Sequence, residues 1–292
     1  MSHKDTLQRF LFDEAPVKGM LVRLDSAWQQ VLSHRSYPAP VAALLGEMMA
    51  ASVLLSANLK FDGTLIMQLH GHGALKLAVV EANSDRTVRA TARFNGDVAE
   101  EATLTEMLGD GGRFVITLEP KGEGEPWQGI VELAGNNLAE ILMHYMSRSE
   151  QLDSMIKLET SGETAAGLLL QKLPDGHGED DGWPRVVALA DTLQREELLE
   201  LPAEAILHRL YHEEQVRVFE PEAVAFACTC SRERVGGMLK MLGGEEIGEI
   251  LIEQGSVEIN CDFCHQRYVF DEEDVNELFD YNVVDAVREA RH

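Results

Sequence analysis

Cysteine is missing from the first 227 residues of this 292-residue chain, and the four that follow stand in two close couples, Cys228-Thr229-Cys230 and Cys261-Asp262-Phe263-Cys264. That distribution excludes a disulfide framework through most of the chain. Basic residues are also scarce. The chain carries 25 Lys and Arg against 50 Asp and Glu, a formal net charge of −25, which argues against nucleic-acid binding because that affinity comes from cations displacing counterions. Uninterrupted apolar runs are missing too. The longest apolar stretch, Val41 to Leu59, is broken by Gly46, Glu47, Ser52, Ser56 and Asn58, and it is read as short of the roughly 18 to 20 residues of a membrane span. The opening Met1-Ser2-His3-Lys4-Asp5 leads into a mixed polar segment with no apolar h-region, so a cytoplasmic protein is expected. Neither G-x-x-x-x-G-K nor G-x-G-x-x-G occurs. Gly71-His72-Gly73 after His70 is read as a hairpin turn rather than a catalytic loop, and no enzymatic activity is expected.

What the chain does have is a metal-ligand pattern. Each cysteine couple can place two thiolates on one turn, and two such turns supply the four soft ligands of a closed tetrahedral Zn²⁺ site, with sulfurs at about 2.3 Å from the ion. Catalytic zinc keeps a position open, whereas four cysteines close it. The alternatives are two disulfides or four buried thiols, and a reducing compartment disfavours the first. The single-residue spacer between Cys228 and Cys230 is tighter than the usual C-x2-C, as in a site not meant to be permanent. His265 beside Cys264 could replace a ligand but is read as a surface residue. Arg232 and Arg234 either offset the charge of a four-thiolate centre or are solvated or salt-bridged at a helix start.

The acidity is concentrated late in the chain. Residues 1–173 carry 15 Lys and Arg against 22 Asp and Glu (−7), residues 174–227 carry 4 against 13 (−9), and residues 228–292 carry 6 against 15 (−9). Such an excess provides solubility, and its self-repulsion also loosens a segment.

Pattern and turn residues divide the chain into three. Residues 1–173 read as an α+β core domain around a mainly antiparallel sheet. Strands are expected at 17–24, 64–69, 75–80, 87–94, 114–118, 128–133, 156–159 and 166–172, and helices at 27–33 (capped by Asp25 or Ser26), after Pro38 and Pro40, and at 137–146. In the helix after the prolines, Met48 and Met49 are read as core. Residues 174–227 are expected to be a helical linker, opened by the Gly-, Pro- and acid-rich Leu173 to Pro184 and marginal on its own. Residues 228–292 are expected to be a small zinc-binding domain, with helices from Ser231 to about Leu242 and from Glu245 to Ile252. A hairpin of 256–260 and 267–270 would hold Cys261 and Cys264 in its knuckle. So small a module, with few large apolar residues, is expected to depend on zinc as its core.

Cys228-Thr229-Cys230-Ser231-Arg232-Glu233-Arg234, Cys261-Asp262-Phe263-Cys264 and Tyr268-Val269-Phe270 together resemble the zinc centre of the bacterial redox-regulated holdase chaperone family, heat-shock protein thirty-three. Arg148-Ser149-Glu150-Gln151-Leu152, Ala165 to Gln171 and Leu210-Tyr211-His212-Glu213-Glu214 are similar to that family's other recurrent segments. The one departure noted is Leu168, where the family often has glycine. The resemblance implies an ATP-independent stress chaperone that is inactive while reduced and zinc-bound through Cys228, Cys230, Cys261 and Cys264. It further implies that oxidants form the disulfides Cys228–Cys230 and Cys261–Cys264, that zinc is lost, and that the zinc domain and linker unfold. The partners implied are unfolding client proteins, a second copy of the chain in an active homodimer, and an ATP-dependent chaperone system downstream, with no nucleic acid or membrane.

Overall fold

A computed structural model of the chain describes residues 5–59, 61–174 and 181–290, and divides them into two compact units that meet between Ala227 and Cys228. Unit 1 is built on two six-stranded sheets. The first has the order β10-β1-β2-β9-β8, with β11 also on β1, from β1 (Thr6–Phe12), β2 (Val17–Leu24), β8 (Ser154–Thr160), β9 (Ala165–Lys172), β10 (Val216–Val218) and β11 (Glu222–Ala223). The second runs β12-β5-β4-β3-β6-β7, from β3 (Gly63–His70), β4 (Leu75–Asn83), β5 (Thr87–Phe94), β6 (Arg113–Pro120), β7 (Trp127–Val131) and β12 (Ala225–Phe226). Neighbouring strands are antiparallel except β12 on β5.

Helix α1 (Ser26–His34) starts where expected, but its cap comes from elsewhere. Asp25 makes no side-chain cap bond. The Asp5 carboxylate instead accepts from the amides of Asp25, Ser26 and Ala27 at 2.8, 3.1 and 2.9 Å, satisfying donors that the helix start leaves unpaired.

Helix α2 (Ala39–Asn58) is long and apolar enough to cross a membrane by length and composition. The polar interruptions therefore count for less than the sequence reading assumed. The helix is instead mostly buried, with Val41, Leu45, Met48, Met49 and Leu54 at 1% exposure or less. It packs against strands of both sheets. A helix apolar all round is a core helix when protein surrounds it, and Met48 and Met49 are core as expected.

The first sheet is covered on both faces. Met20, Val22 and Leu24 of β2 and Leu169 of β9 join α2 in the main core. The alternate residues Val17 and Leu21 of β2, Leu168 and Leu170 of β9, and Phe10 and Phe12 of β1 form a second cluster. Period-two alternation sends successive side chains to opposite faces, and a strand buried on both reads as a continuous apolar run, as β9 does. Leu168 lies in regular pairing with Leu21 and Lys157. The surface over this second face is supplied by the segment after residue 180. Helices α5 (Gly182–Asp191), α6 (Arg195–Glu200) and α7 (Ala203–Tyr211) contribute Val186, Ala190, Leu198, Ile206, Leu207 and Leu210 to the cluster. Arg195 fastens α6 to β8 through Glu159 (2.8 Å) and the Thr160 carbonyl, and Lys157 Nζ donates to the carbonyls of Asp191 and Leu193 at 2.8 and 3.1 Å. Of the linker's opening, residues 175–180 lie outside the described residues. The remaining helices of unit 1 are α3 (Leu104–Leu108) and α4 (Leu138–Ser149).

Unit 2 consists of α8 (Arg232–Leu242), α9 (Gly244–Gln254), the hairpin β13 (Val257–Asn260) and β14 (Arg267–Phe270), α10 (Glu272–Phe279) and α11 (Val283–Ala290). It has an apolar core of its own, in contrast to the expectation of a metal-only core. Val235, Leu239, Ile247, Leu251, Val257, Phe270, Val275, Val283 and Val284 are buried together. Most are valines or single leucines, and they sum to a core only because α10 and α11 add their share. Gly248 lets α9 approach α11 closely, since a Cβ there would meet Val287 at 2.6 Å and Val283 at 2.9 Å.

Candidate metal centre

Local structure brings the two cysteine couples together from the start and the middle of unit 2. Cys228 and Cys230 lie in the extended segment that enters α8, where Ser231 caps the helix by accepting from the Arg234 amide at 3.2 Å. Cys261 and Cys264 occupy the turn between β13 and β14. The Cys261 amide donates to Gln266 O at 3.0 Å and the His265 amide to Cys261 O at 2.9 Å. His265 takes the left-handed conformation that closes this turn (φ +55°) and is exposed, as the sequence reading expected.

The four Sγ atoms all lie within 4.8 Å of one another, and each residue is half-buried. Across the couples, Cys228 and Cys261 approach to 3.6 Å and Cys230 and Cys264 to 3.4 Å. A tetrahedron of sulfurs at about 2.3 Å from a central ion has edges of about 3.8 Å, and a covalent S–S bond is about 2.05 Å. The sulfurs therefore stand at the spacing of ligands to one ion. Among the described residues no other group of three or more His, Cys, Asp or Glu is so placed.

The electrostatics point the same way. Burial pushes the thiols of Cys261 and Cys264 above the ordinary cysteine range, and neighbouring sulfurs add to the shift. Amides oppose it: those of Phe263 and Cys264 favour the Cys261 thiolate and that of Gln266 favours the Cys264 thiolate. Donors aimed at crowded sulfurs that resist ionising together describe a site in need of a cation, because a bound cation inverts that preference.

The outer contacts are more specific than the sequence suggested. Tyr268 Oη donates to Cys230 Sγ at 3.1 Å, and that bond pushes the phenol up to about 12. In the sequence, Tyr268 stands out only as part of the Tyr268-Val269-Phe270 motif. Its placement on β14, four residues after Cys264, is what turns it back to the sulfurs. Arg234 Nη1 donates to Thr229 O (3.2 Å) and Oγ1 (2.7 Å), clasping the first knuckle through its spacer residue. Arg232 pairs with Asp274 at 2.6 Å, donates to Val269 O at 2.7 Å and lies 4.2 Å over the Phe270 ring. Of the two roles left open for it, the salt bridge holds and ties α8 to α10, while the bond to Val269 O and the Phe270 contact tie α8 to the hairpin of the second couple. Outer-shell partners of this kind orient the ligands of metal sites.

A family model described as "Hsp33 protein" matches residues 5–271. The 33 kDa chaperonin of Chromobacterium violaceum is 65% identical over 293 positions, covering 100% of this chain and 99% of the relative. That of Neisseria meningitidis is 52% identical over 290 positions, covering 99% and 96%. A crystal structure of the 33 kDa chaperonin of Thermotoga maritima superposes with a TM-score of 0.82, covering 94% of this chain and 98% of that one at 23% identity, a likeness of fold. The match to the family model ends at the first residue of the α10 cap, Asp271.

Proposed function

The chain belongs to the Hsp33 family of chaperones, and on that premise we propose that it is an ATP-independent holdase of the cytoplasm switched by oxidation of its four cysteines. The observation that carries the proposal is the gathering of every cysteine in the chain into one four-sulfur cluster. Cys228, Cys230, Cys261 and Cys264 would hold one Zn²⁺ in the reduced state, a soft tetrahedral donor set suited to that ion. Zinc bound there supplies a crosslink between two segments over thirty residues apart and folding free energy of about 10 to 16 kcal/mol.

Under oxidative stress, Cys228 would pair with Cys230 and Cys261 with Cys264. Each disulfide forms as two thiols give two electrons and two protons to an oxidant of the peroxide class, reducing one peroxide to two waters. All four cysteines are free, so pairing within a couple requires its sulfurs to draw together to the S–S bond length of about 2.05 Å. That suits a module that opens as it oxidises. The sulfurs that joined the knuckles then join only near neighbours, and unit 2 is left with its small apolar core.

Residues 174–227 would act as a metastable linker. Helices α5, α6 and α7 have 10, 6 and 9 residues, too short to persist without a surface. On detaching they would uncover Phe10, Phe12, Leu21, Leu168 and Leu170 of the first sheet, an apolar face of the kind that binds exposed segments of unfolding proteins. Residues 1–173 would carry client binding and the homodimer contact, with clients passed on to ATP-dependent chaperones.

The test follows metal release, thiol count and suppression of aggregation of a heat-unfolding client together, before and after peroxide at raised temperature and again after a thiol reductant. Reversible gain of holding activity with loss of four thiols and one zinc is expected. Equal activity in both states, or metal retained after the thiols are lost, overturns the proposal.

A further inference from the structure

The chain has eleven methionines, and their exposure is sharply divided. Seven are at most 6% exposed, all in unit 1, and Met143 packs partly buried against the same core. Met241 is 83% exposed and Met238 40%. Both lie on α8, three residues apart, on the face away from the buried Val235, Gly236 and Leu239. Leu242, at the helix end, is 48% exposed, and Gly237, one turn before Met241, adds no side chain to shield it. Among the described residues, the two open thioethers thus sit on the helix that follows directly from Cys230.

We propose that Met238 and Met241 are a second oxidation site of this protein, taking oxygen from hypohalous acids to become methionine sulfoxides. The thioether sulfur gives up two electrons and gains one oxygen, while hypochlorous acid is reduced to chloride with release of one proton. Exposure and thioether character decide which methionines react, and the sulfoxide is polar and restored by sulfoxide reductases. The product replaces the apolar outer face of α8 with a polar one. Dithiol reductants cleave disulfides but leave sulfoxides, so recovery of the starting protein after hypohalous acid requires two kinds of reduction. The inference rests on side-chain exposure alone and holds whether or not the four thiols switch activity.

The full-length reduced protein treated with graded hypochlorous acid and read by peptide mass mapping provides the test. Met238 and Met241 are expected to carry at least about tenfold more sulfoxide than the buried methionines of unit 1. Two added oxygens on the α8 peptide should survive a dithiol reductant and disappear with methionine sulfoxide reductases. The exposed double variant Met238→Leu/Met241→Leu should regain its starting mass with the dithiol alone. Sulfoxide spread evenly over buried and exposed methionines, or complete recovery of the wild-type mass with dithiol alone, would overturn the assignment.

Discussion

Oxidation of the wild-type chain should melt residues 228–290 although it adds two covalent bonds. Closing loops of three residues (Cys228–Cys230) and four (Cys261–Cys264) removes unfolded-state entropy worth about 1.6 and about 1.9 kcal/mol, about 3.5 kcal/mol in all. The alternative bridges run across the couples, where Cys228 and Cys261 stand 3.6 Å apart and Cys230 and Cys264 3.4 Å. They close loops of about 34 residues and would contribute about 3.8 kcal/mol each. Either set would replace the proposed zinc coordination, worth about 10 to 16 kcal/mol. With bridges inside the couples the module loses roughly 6 to 12 kcal/mol, as much as the whole stability of an ordinary domain, and nothing in its valine-rich core makes up the difference.

Amide hydrogen exchange on peptides covering α8 and α9, with disulfides mapped on the same samples, measures this directly. Protection of Val235, Leu239, Ile247 and Leu251 should collapse on oxidation and return with reductant and Zn²⁺. Disulfides confined to the couples with α8 and α9 still fully protected would refute the reasoning, since the apolar core would then suffice. Crosslinks between the couples would refute the proposed pairing and predict partial protection instead.

Three further perturbations test separate links. Leu239→Ala removes a fully buried side chain from the core of unit 2 and should cost about 2 to 5 kcal/mol, so that holding activity appears at lower oxidant dose in a client-aggregation assay. Tyr268→Phe deletes the donor to Cys230 Sγ and should weaken zinc affinity by about 10- to 100-fold, measured by competition with a chromogenic chelator. Glu47 on α2 has its pKa raised from 4.5 to about 7 by burial first and Glu159 second, against the pull of Arg195. Its folded form keeps a proton that the unfolded chain has released, so unit 1 should lose stability as pH rises from about 4.5 through about 7, by at most about 3 kcal/mol. Glu47→Gln should flatten that slope and leave the variant the more stable at pH 8. Urea unfolding followed by tryptophan fluorescence reports on unit 1 alone, because all three tryptophans, Trp28, Trp127 and Trp183, lie there.

Strands and helices whose period was regular were legible in the sequence, and those made by context were not. The strands expected at 64–69 and 87–94 appear as β3 and β5, because alternation or β-branched runs between turn residues leave little choice. β1 was missed: Thr6–Phe12 pairs with strands from both ends of unit 1, and a short segment does not announce partners two hundred residues away. Helices α10 and α11 were missed although Asp271 and Asp274 form a capping box. Their acidic surfaces resemble solvated tail, and Val275, Val283 and Val284 acquire meaning only when they close the core of unit 2. At the centre itself, spacing alone located the cysteines. The role of Tyr268 came from the hairpin register, which sets Ile259 opposite it, and no residue-level pattern carried it.

The absence of cysteine from unit 1 is as much a part of the site as the four sulfurs are. A thiol in the sheet faces around Phe10 or Leu168 would give an oxidant a second target, and a bridge from there to the helices above would pin α5 to α7 in place. With every thiol after residue 227, oxidation would remove the proposed metal crosslink from unit 2 but cannot add a disulfide to unit 1. The helices over the first sheet are then held by noncovalent contacts: the apolar contacts of Val186, Leu198 and Leu207, the hydrogen bonds of Arg195 to the Thr160 carbonyl and of Lys157 Nζ to the Asp191 and Leu193 carbonyls, and the partly exposed ion pair of Arg195 with Glu159. Exposed pairs of that kind contribute about 0 to 1 kcal/mol. The segment carries 13 acidic residues against 4 basic ones, so like charges oppose its packing at all times. Apolar contact does most to keep helices α5 to α7 down, and an apolar contact competes on equal terms with any other apolar surface, including that of an unfolding protein.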